Sequence, residues 1–342
     1  MRAAELRTAG QPPVVAERAE PSPGPGEVAV RVTAAPITPL DLLCASGTSY
    51  FGVPATPYVP GVQGVGELAG APVWFATAAG MQPGDGSMAE WAVAAAADVV
   101  ALPEGADHAL VAALGLSAVA AWMCLTGKGE LATGETVLVL GAGGVVGQSA
   151  VQLARVAGAG RVVACARSDA ALERARRLGA DGTIRLEDGE DTEALARRLG
   201  AAAGPVDLVV DPVCGLPAAA ALRTLRPGGR LVNLGSAAGE VCPVPSAVLR
   251  SRSLRILGYT NNELTAGERR EALLTVVAQT MTGALTVGYE RVPLQDAARA
   301  WSSPGRVVLV PLGHPGRVSG CTVVRDHLGH RPPGPGFGTS PM

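Results

Sequence analysis

Thr136-Val-Leu-Val-Leu-Gly-Ala-Gly-Gly-Val-Val-Gly147 reads as a fully apolar strand that turns on glycines straight into a helix. The helical pattern continues from Gln148 to Ala157, and Arg161-Val-Val-Ala-Cys165 is the next strand. Ala142, Gly144 and Gly147 fall on the three glycine positions of a dinucleotide fingerprint, with alanine replacing the first. The middle glycine lets a pyrophosphate approach bare backbone, and the last lets helix and strand pack closely. The helix N-terminus adds free N–H groups and partial positive charge. Gly141, Gly144, Val145, Val146 and Gly147 are thus the expected phosphate cradle. Loops use glycine freely, so the turn alone is weak. Strand, turn, helix and second strand in this order and spacing favour a cofactor site.

The end of the second strand chooses between the two nicotinamide cofactors. An NAD site places an acid there for the ribose hydroxyls. This chain has Ala166, then Arg167 and Ser168, which suit a 2′-phosphate. Asp169 argues the other way, but reads better as the N-cap of a helix beginning at Ala170. NADPH is the expected cofactor.

Outward from this core, Val206-Asp-Leu-Val-Val210, a helical stretch over 218–225, Gly-Gly-Arg-Leu-Val-Asn-Leu-Gly (228–235) and Leu254-Arg-Ile-Leu257 continue the alternation of apolar strand and helix. That alternation indicates a parallel sheet covered on both faces. The first hundred residues differ. Val28-Ala-Val-Arg-Val32, Ala71–Ala76 and Met88–Val93 are short strand-like runs separated by Pro and Gly, the mark of an irregular β-rich domain. A β/loop region returns near Glu290 and ends at Val307-Val-Leu-Val310. The last thirty residues have turn composition and read as a disordered tail.

Bulk properties exclude several classes. A net charge of −2 and a pI near 6.1 argue against nucleic acid as a partner. No run free of Gly, Pro and charge reaches the roughly 20 residues that span a bilayer, so no membrane is expected. Ala109–Leu125 comes nearest and is interrupted by Gly115 and Ser117. The start lacks the apolar centre of a secretion signal, and the six cysteines form no CxxC pair. These features lead to the expectation of a cytoplasmic protein with reduced thiols.

Thr38-Pro-Leu-Asp41, Pro60-Gly-Val-Gln-Gly-Val-Gly66, Leu114-Gly-Leu-Ser-Ala118, the 141–147 turn, Val210-Asp-Pro-Val213, Leu231–Ser236 and Gly305-Arg-Val-Val-Leu309 together resemble the medium-chain dehydrogenase/reductase superfamily. Within it, the chain is most similar to the zinc-free quinone oxidoreductase (zeta-crystallin-like) branch. The resemblance covers the chain to about residue 312. It implies an α/β fold in which a Rossmann doubly wound parallel sheet is inserted in a GroES-like β-rich catalytic domain. The expected divisions are 1–115 and 261–312 for the catalytic part, 116–260 for the dinucleotide-binding domain and 313–342 for the tail. A cofactor cleft between the domains and a homodimer are implied as well.

The resemblance also marks departures. Where the zinc alcohol dehydrogenases carry a Cys and a His-Glu pair, this chain has Thr38, Val62 and Gln63. Zinc needs three or four N, S or carboxylate ligands, so no metal is expected. The related reductases often carry an Asn where Thr38 stands, and a lysine on the adenosine side where Ala171 stands. The second loss weakens the preference for NADPH.

Hydride transfer without a metal needs an acceptor carbon held close and relief for charge building on oxygen. Tyr50 and Thr38 are the candidate catalytic residues, the phenol as a donor and stacking face, the threonine as a hydroxyl donor. Tyr50 reads equally as a surface-loop residue. Ser117 matches the position that touches nicotinamide in relatives; otherwise it bonds its own helix backbone. Asn233 and Gly235 close a strand where ligands collect, completing the cofactor set. Val62, Tyr259 and Asn261 are expected on the substrate side, though Asn261 also suits an Asx turn. Three functions remain open: reduction of a quinone or enone (a tailored secondary metabolite included), reduction of an enoyl thioester, or cofactor binding without catalysis by a sensor or interaction protein.

Overall fold

Short β-type runs in the first hundred residues form strands that are half-buried at their ends and buried on both faces at the centre of the sheet. The structure, a computed structural model, describes residues 1–311, so the tail expected at 313–342 lies outside the described residues. After a hairpin of β1 (Arg2–Glu5) and β2 (Val14–Glu17) comes β3 (Glu27–Ile37), the long central strand of a seven-stranded sheet. Helix α1 (Pro39–Ser46) follows it, then β4 (Gln63–Leu68), β5 (Ala71–Ala76), β6 (Trp91–Ala95) and β7 (Val99–Ala101). The pairing is antiparallel throughout this part. Trp74 and Phe75 on β5 are fully buried, one on each face.

Helix α2 (His108–Thr126) leads out of this sheet. It is long and apolar enough to cross a membrane by length and composition, with a mean hydropathy of 2.0. Here it is buried between the seven-stranded sheet and the helices of the second domain, which is why every face is apolar. It departs from helical geometry at Gly115 (φ 29°, ψ −126°).

The second domain contains six parallel strands: β8 (Thr136–Val139), β9 (Arg161–Ala166), β10 (Gly182–Arg185), β11 (Val206–Asp211), β12 (Leu225–Asn233) and β13 (Arg255–Gly258). Their order, β10-β9-β8-β11-β12-β13, is the 3-2-1-4-5-6 arrangement of a Rossmann fold, as expected. Helices α3 (Val145–Val156), α4 (Asp169–Arg177), α5 (Thr192–Ala203), α6 (Gly215–Leu222) and α7 (Ser246–Arg252) connect the strands. The order reverses between β8 and β11, and the crevice beyond that point is where such sheets bind ligands.

The parallel sheet ends with β13 at Gly258, and a helix precedes the strands that pair with the first sheet again. Helix α8 (Ala266–Met281) lies along α2, and Gln152 of α3 clamps the segment after it through both Thr286 backbone groups (2.9 and 3.0 Å). Only β14 (Glu290–Pro293), the short α9 (Ala297–Ala300) and β15 (Val307–Val310) rejoin the first sheet, β15 pairing with β3.

Candidate active site

All fifteen residues singled out in the sequence line one cleft, which runs from the β9–β10 edge to the end of α1. The glycine turn forms its floor, and each glycine there has its own reason. Gly141 has φ +64°, and a Cβ would meet Val213 Cγ1 at 2.7 Å. At Gly147 a Cβ would overlap the Gly141 carbonyl, so helix and strand touch there. Gly144 is different. Its backbone (φ −80°, ψ 166°) suits any residue, and the nearest atom to an added Cβ is 3.7 Å away. The chain itself does not require glycine at 144. What it gains is bare backbone at the mouth of α3, whose first turn has neither a side-chain cap nor an acid. The residues present therefore fit a dinucleotide pyrophosphate.

At the adenosine end, Arg167 is exposed just past β9, with no ion pair among the described residues. The cap of α4 is Ser168, whose hydroxyl accepts from Ala171 N at 3.3 Å, and not Asp169 as the sequence suggested. Asp169 instead pairs with Arg185 at 2.8 Å. The β10–α5 loop adds a feature that the sequence reading missed. Glu187, Asp188, Glu190 and Asp191 line the same end of the cleft. Glu187 lies 3.5 Å from Arg185, Glu190 pairs with Arg198, and Asp191 caps α5. Asp188 is exposed and has no such partner among the described residues.

The opposite end is organised by Arg306, a residue that sequence reasoning did not select. The residue is 8% exposed, and its guanidinium donates to Ile37 O at 2.7 Å and to Ser117 Oγ at 2.9 Å. Burial pulls it down to about 10, and Asp41 opposes that shift. Ser117 is thus not spent on its own helix. With Arg306 donating to its oxygen, the hydroxyl proton must point elsewhere.

Three of the expected site residues turn out to be committed to the protein. The Thr38 hydroxyl donates to Asp41 Oδ2 at 2.6 Å and accepts from Asp41 N, a capping box at the start of α1, so it has no proton left for a substrate oxygen. Asp41 also receives Val62 N at 2.9 Å; burial raises its carboxyl, against these bonds and the charge of Arg306. Asn233 spends its amide on Asp211 Oδ2 (2.8 Å) and Gly235 O (2.9 Å), fixing the two strand ends to each other. Asn261 accepts from the Tyr259 hydroxyl (2.7 Å) and donates to Leu116 O (3.0 Å). It forms no Asx turn, and one of its two amide N–H groups is spent on Leu116; Thr260 caps the turn instead. Gly235 is required by close approach to Pro212 O, 2.7 Å from an added Cβ.

Tyr50 stands on the lip, 79% exposed, its ring 4.3 Å from that of Phe51. Val62, buried and apolar, lines the same cleft. The neighbouring Gln63 is fully buried with its carbonyl occupied by Trp74 Nε1 (3.1 Å) and Leu116 N (2.7 Å). Val62 carries no atom that could ligate a metal, the Gln63 carbonyl is occupied, and no group of three or more His, Cys, Asp or Glu suited to a metal occurs among the described residues.

A family model described as zinc-binding dehydrogenase matches residues 145–278, within the parallel-sheet half. Quinone oxidoreductase-like protein 2 of Bos taurus is 29% identical over 280 residues, covering 80% of this chain and 78% of that protein. An alcohol dehydrogenase of Rhizobium meliloti is 30% identical over 289 residues, 75% of this chain and 83% of the relative. Among solved structures, the quinone oxidoreductase of Thermus thermophilus, determined also in complex with NADPH, aligns with a TM-score of 0.77 at 30% identity. The alignment covers 91% of this chain and all of that one. The fold, the cleft and these similarities agree: the chain belongs to the medium-chain dehydrogenase/reductase superfamily, in its quinone oxidoreductase-like branch.

Proposed function

We propose that this chain is an NADPH-dependent, zinc-independent reductase of quinones or other α,β-unsaturated carbonyl compounds. The observation that carries the reading is the bare backbone at Gly144, facing the same cleft as Ser117 and the buried Arg306 bonded to it. Bound NADPH would supply the hydride. The N–H groups of Val145, Val146 and Gly147 would hold its pyrophosphate, with Arg167 and the Ser168 hydroxyl toward the 2′-phosphate.

Ser117 and Arg306 then define the reducing end. Arg306 orients the serine hydroxyl, and its positive charge lies where negative charge develops on an acceptor. No metal step is invoked, because Val62 and the occupied Gln63 offer no ligands. Tyr50 and Phe51 give planar apolar substrates a stacking face at the entrance. With the phenol so exposed, water reaches the same space and delivers the final proton.

The homodimer and the cytoplasmic setting belong to the same proposal. β13 is an unpaired sheet edge with Ile256 45% exposed, a surface on which a second copy can extend the sheet. The cysteines among the described residues are all free thiols, which suits a reducing compartment.

The test is NADPH oxidation by purified protein against a panel of quinones, enones and enoyl thioesters. Turnover of quinones or enones above the other class is expected. Preferential turnover of enoyl thioesters would move the substrate assignment to that class. NADPH binding with no turnover on any of the three would favour a cofactor-binding protein without catalysis.

A further inference from the structure

Helix α2 breaks its geometry at one residue, Gly115, in the middle of a buried segment. Such a break frees backbone groups that are costly to leave unpaired, about 1–3 kcal/mol each. The backbone N–H and C=O of Leu116, the first residue past the break, are held by side chains from opposite directions. Leu116 N donates to Gln63 Oε1 at 2.7 Å, and Leu116 O accepts from Asn261 Nδ2 at 3.0 Å. Gln63 belongs to β4 of the first sheet; Asn261 follows β13 of the parallel sheet. Each holding side chain is itself held, Gln63 by Trp74 and Asn261 by Tyr259. A Cβ at Gly115 would collide with Gln63 Oε1, so the glycine, the glutamine and the asparagine form one device. The next residue but one is Ser117, which carries the bond to Arg306.

We infer that Gln63 and Asn261 are positioning residues that latch the kink of α2 from the two domains, and so fix Ser117 and Arg306 relative to the phosphate cradle. The inference rests on the proposed reading of the cleft as an NADPH site. A shift of one domain against the other must break one of the two bonds to Leu116, so the latch sets the distance between cofactor and acceptor. The cradle itself sits on α3 and does not depend on the latch, so binding and turnover separate.

The experiment compares wild type, Asn261→Ala, Asn261→Asp and Gln63→Leu for NADPH affinity, kcat and amide hydrogen exchange over residues 112–120. Asn261→Asp keeps the shape and the acceptor for Tyr259 but places an oxygen against Leu116 O. Both Asn261 variants should lower kcat by about tenfold to a hundredfold, the cost of misplacing reacting groups by about an ångström. NADPH affinity should stay within about threefold, and exchange at 112–120 should quicken. Gln63→Leu should show the same split, with an effect that adds little to that of Asn261→Ala in the double variant. If Gln63→Leu does not fold, the Asn261 pair decides the matter. An Asn261→Asp protein with wild-type kcat and wild-type exchange overturns the latch. Wild type failing to bind NADPH overturns the proposed function instead, while exchange at 112–120 still tests the latch.

Discussion

Replacing Gly144 by alanine separates what the chain needs from what the cofactor needs. At φ −80° and ψ 166°, alanine is comfortable, and its Cβ would have no protein atom nearer than 3.7 Å. Removing glycine from the unfolded chain at a compatible site stabilises by about 0.4–1 kcal/mol. Folding stability should therefore be unchanged or slightly higher. The new methyl group stands where a pyrophosphate must come close to the backbone at the start of α3. Losing one charge-assisted hydrogen bond there costs roughly 1.5–3 kcal/mol, or about ten- to a hundredfold in Kd. Thermal unfolding and NADPH fluorescence titration read the two effects independently. Gly147→Ala is the contrast: its Cβ would lie 2.6 Å from Ala142 Cα, so stability and binding should fall together. A Gly144→Ala protein that binds NADPH as tightly as wild type would show that this glycine is only a turn residue, and the cradle would have to be abandoned.

Four further outcomes are expected. Arg167→Ala should reduce the NADPH/NADH affinity ratio by one to two decades, and Asp188→Asn should raise it, since an unpaired acid repels a 2′-phosphate; paired titrations with both cofactors check this. Arg306→Met should cut kcat/KM at least tenfold with little loss of thermal stability, because a buried guanidinium with no ion pair among the described residues costs the fold about as much as it contributes; steady-state kinetics beside a melting curve decides. Tyr50→Phe should change kcat by less than about tenfold with NADPH affinity intact, since solvent reaches the exposed phenol; a loss of 10²–10⁴-fold would assign the proton to Tyr50. Elemental analysis should find far less than one zinc per chain, with no effect of chelators on turnover, and a stoichiometric, chelator-sensitive zinc would refute the metal-free reading.

The parallel sheet was legible because an apolar strand, a glycine turn and an amphipathic helix each obey a local period. The site was legible as a location more than as chemistry. Thr38, Asn233 and Asn261 sit at element ends that line the cleft, so their selection as lining residues follows from topology. Whether an amide or hydroxyl is free depends on partners elsewhere. Asn261 donates to a carbonyl 145 residues away, which no local pattern announces. For Thr38 a signal was available: Asp41 three residues later, just before the apolar run of α1, is the pattern of a capping box. Arg306 had no such signal. It is one of many arginines in an arginine-rich chain, and only the pairing of β15 with β3 carries it to Ser117, 189 residues away in sequence. The acidic lining at 187–191 was hidden because loop closure, and not periodicity, brings it to the adenosine end.

Helix α2 has one more consequence. The hydrophobic cluster around it includes Ala34, Val65 and Trp74 from the first sheet together with Val137, Val151 and Leu208 from the second domain. Each half also has a cluster of its own, around Phe75 in the first and around Leu138 in the second, and this third cluster joins them as a common keel. A fragment that begins at residue 116 would carry half of that keel with its apolar flank bare to water. A chimaera made by exchanging the nucleotide-binding half must therefore import the whole of 108–126, along with the residues at 63 and 74 that lean on it. Divergence in this chain is accordingly constrained along one helix that both halves share, and a substitution on either flank is felt by its neighbour across the cleft.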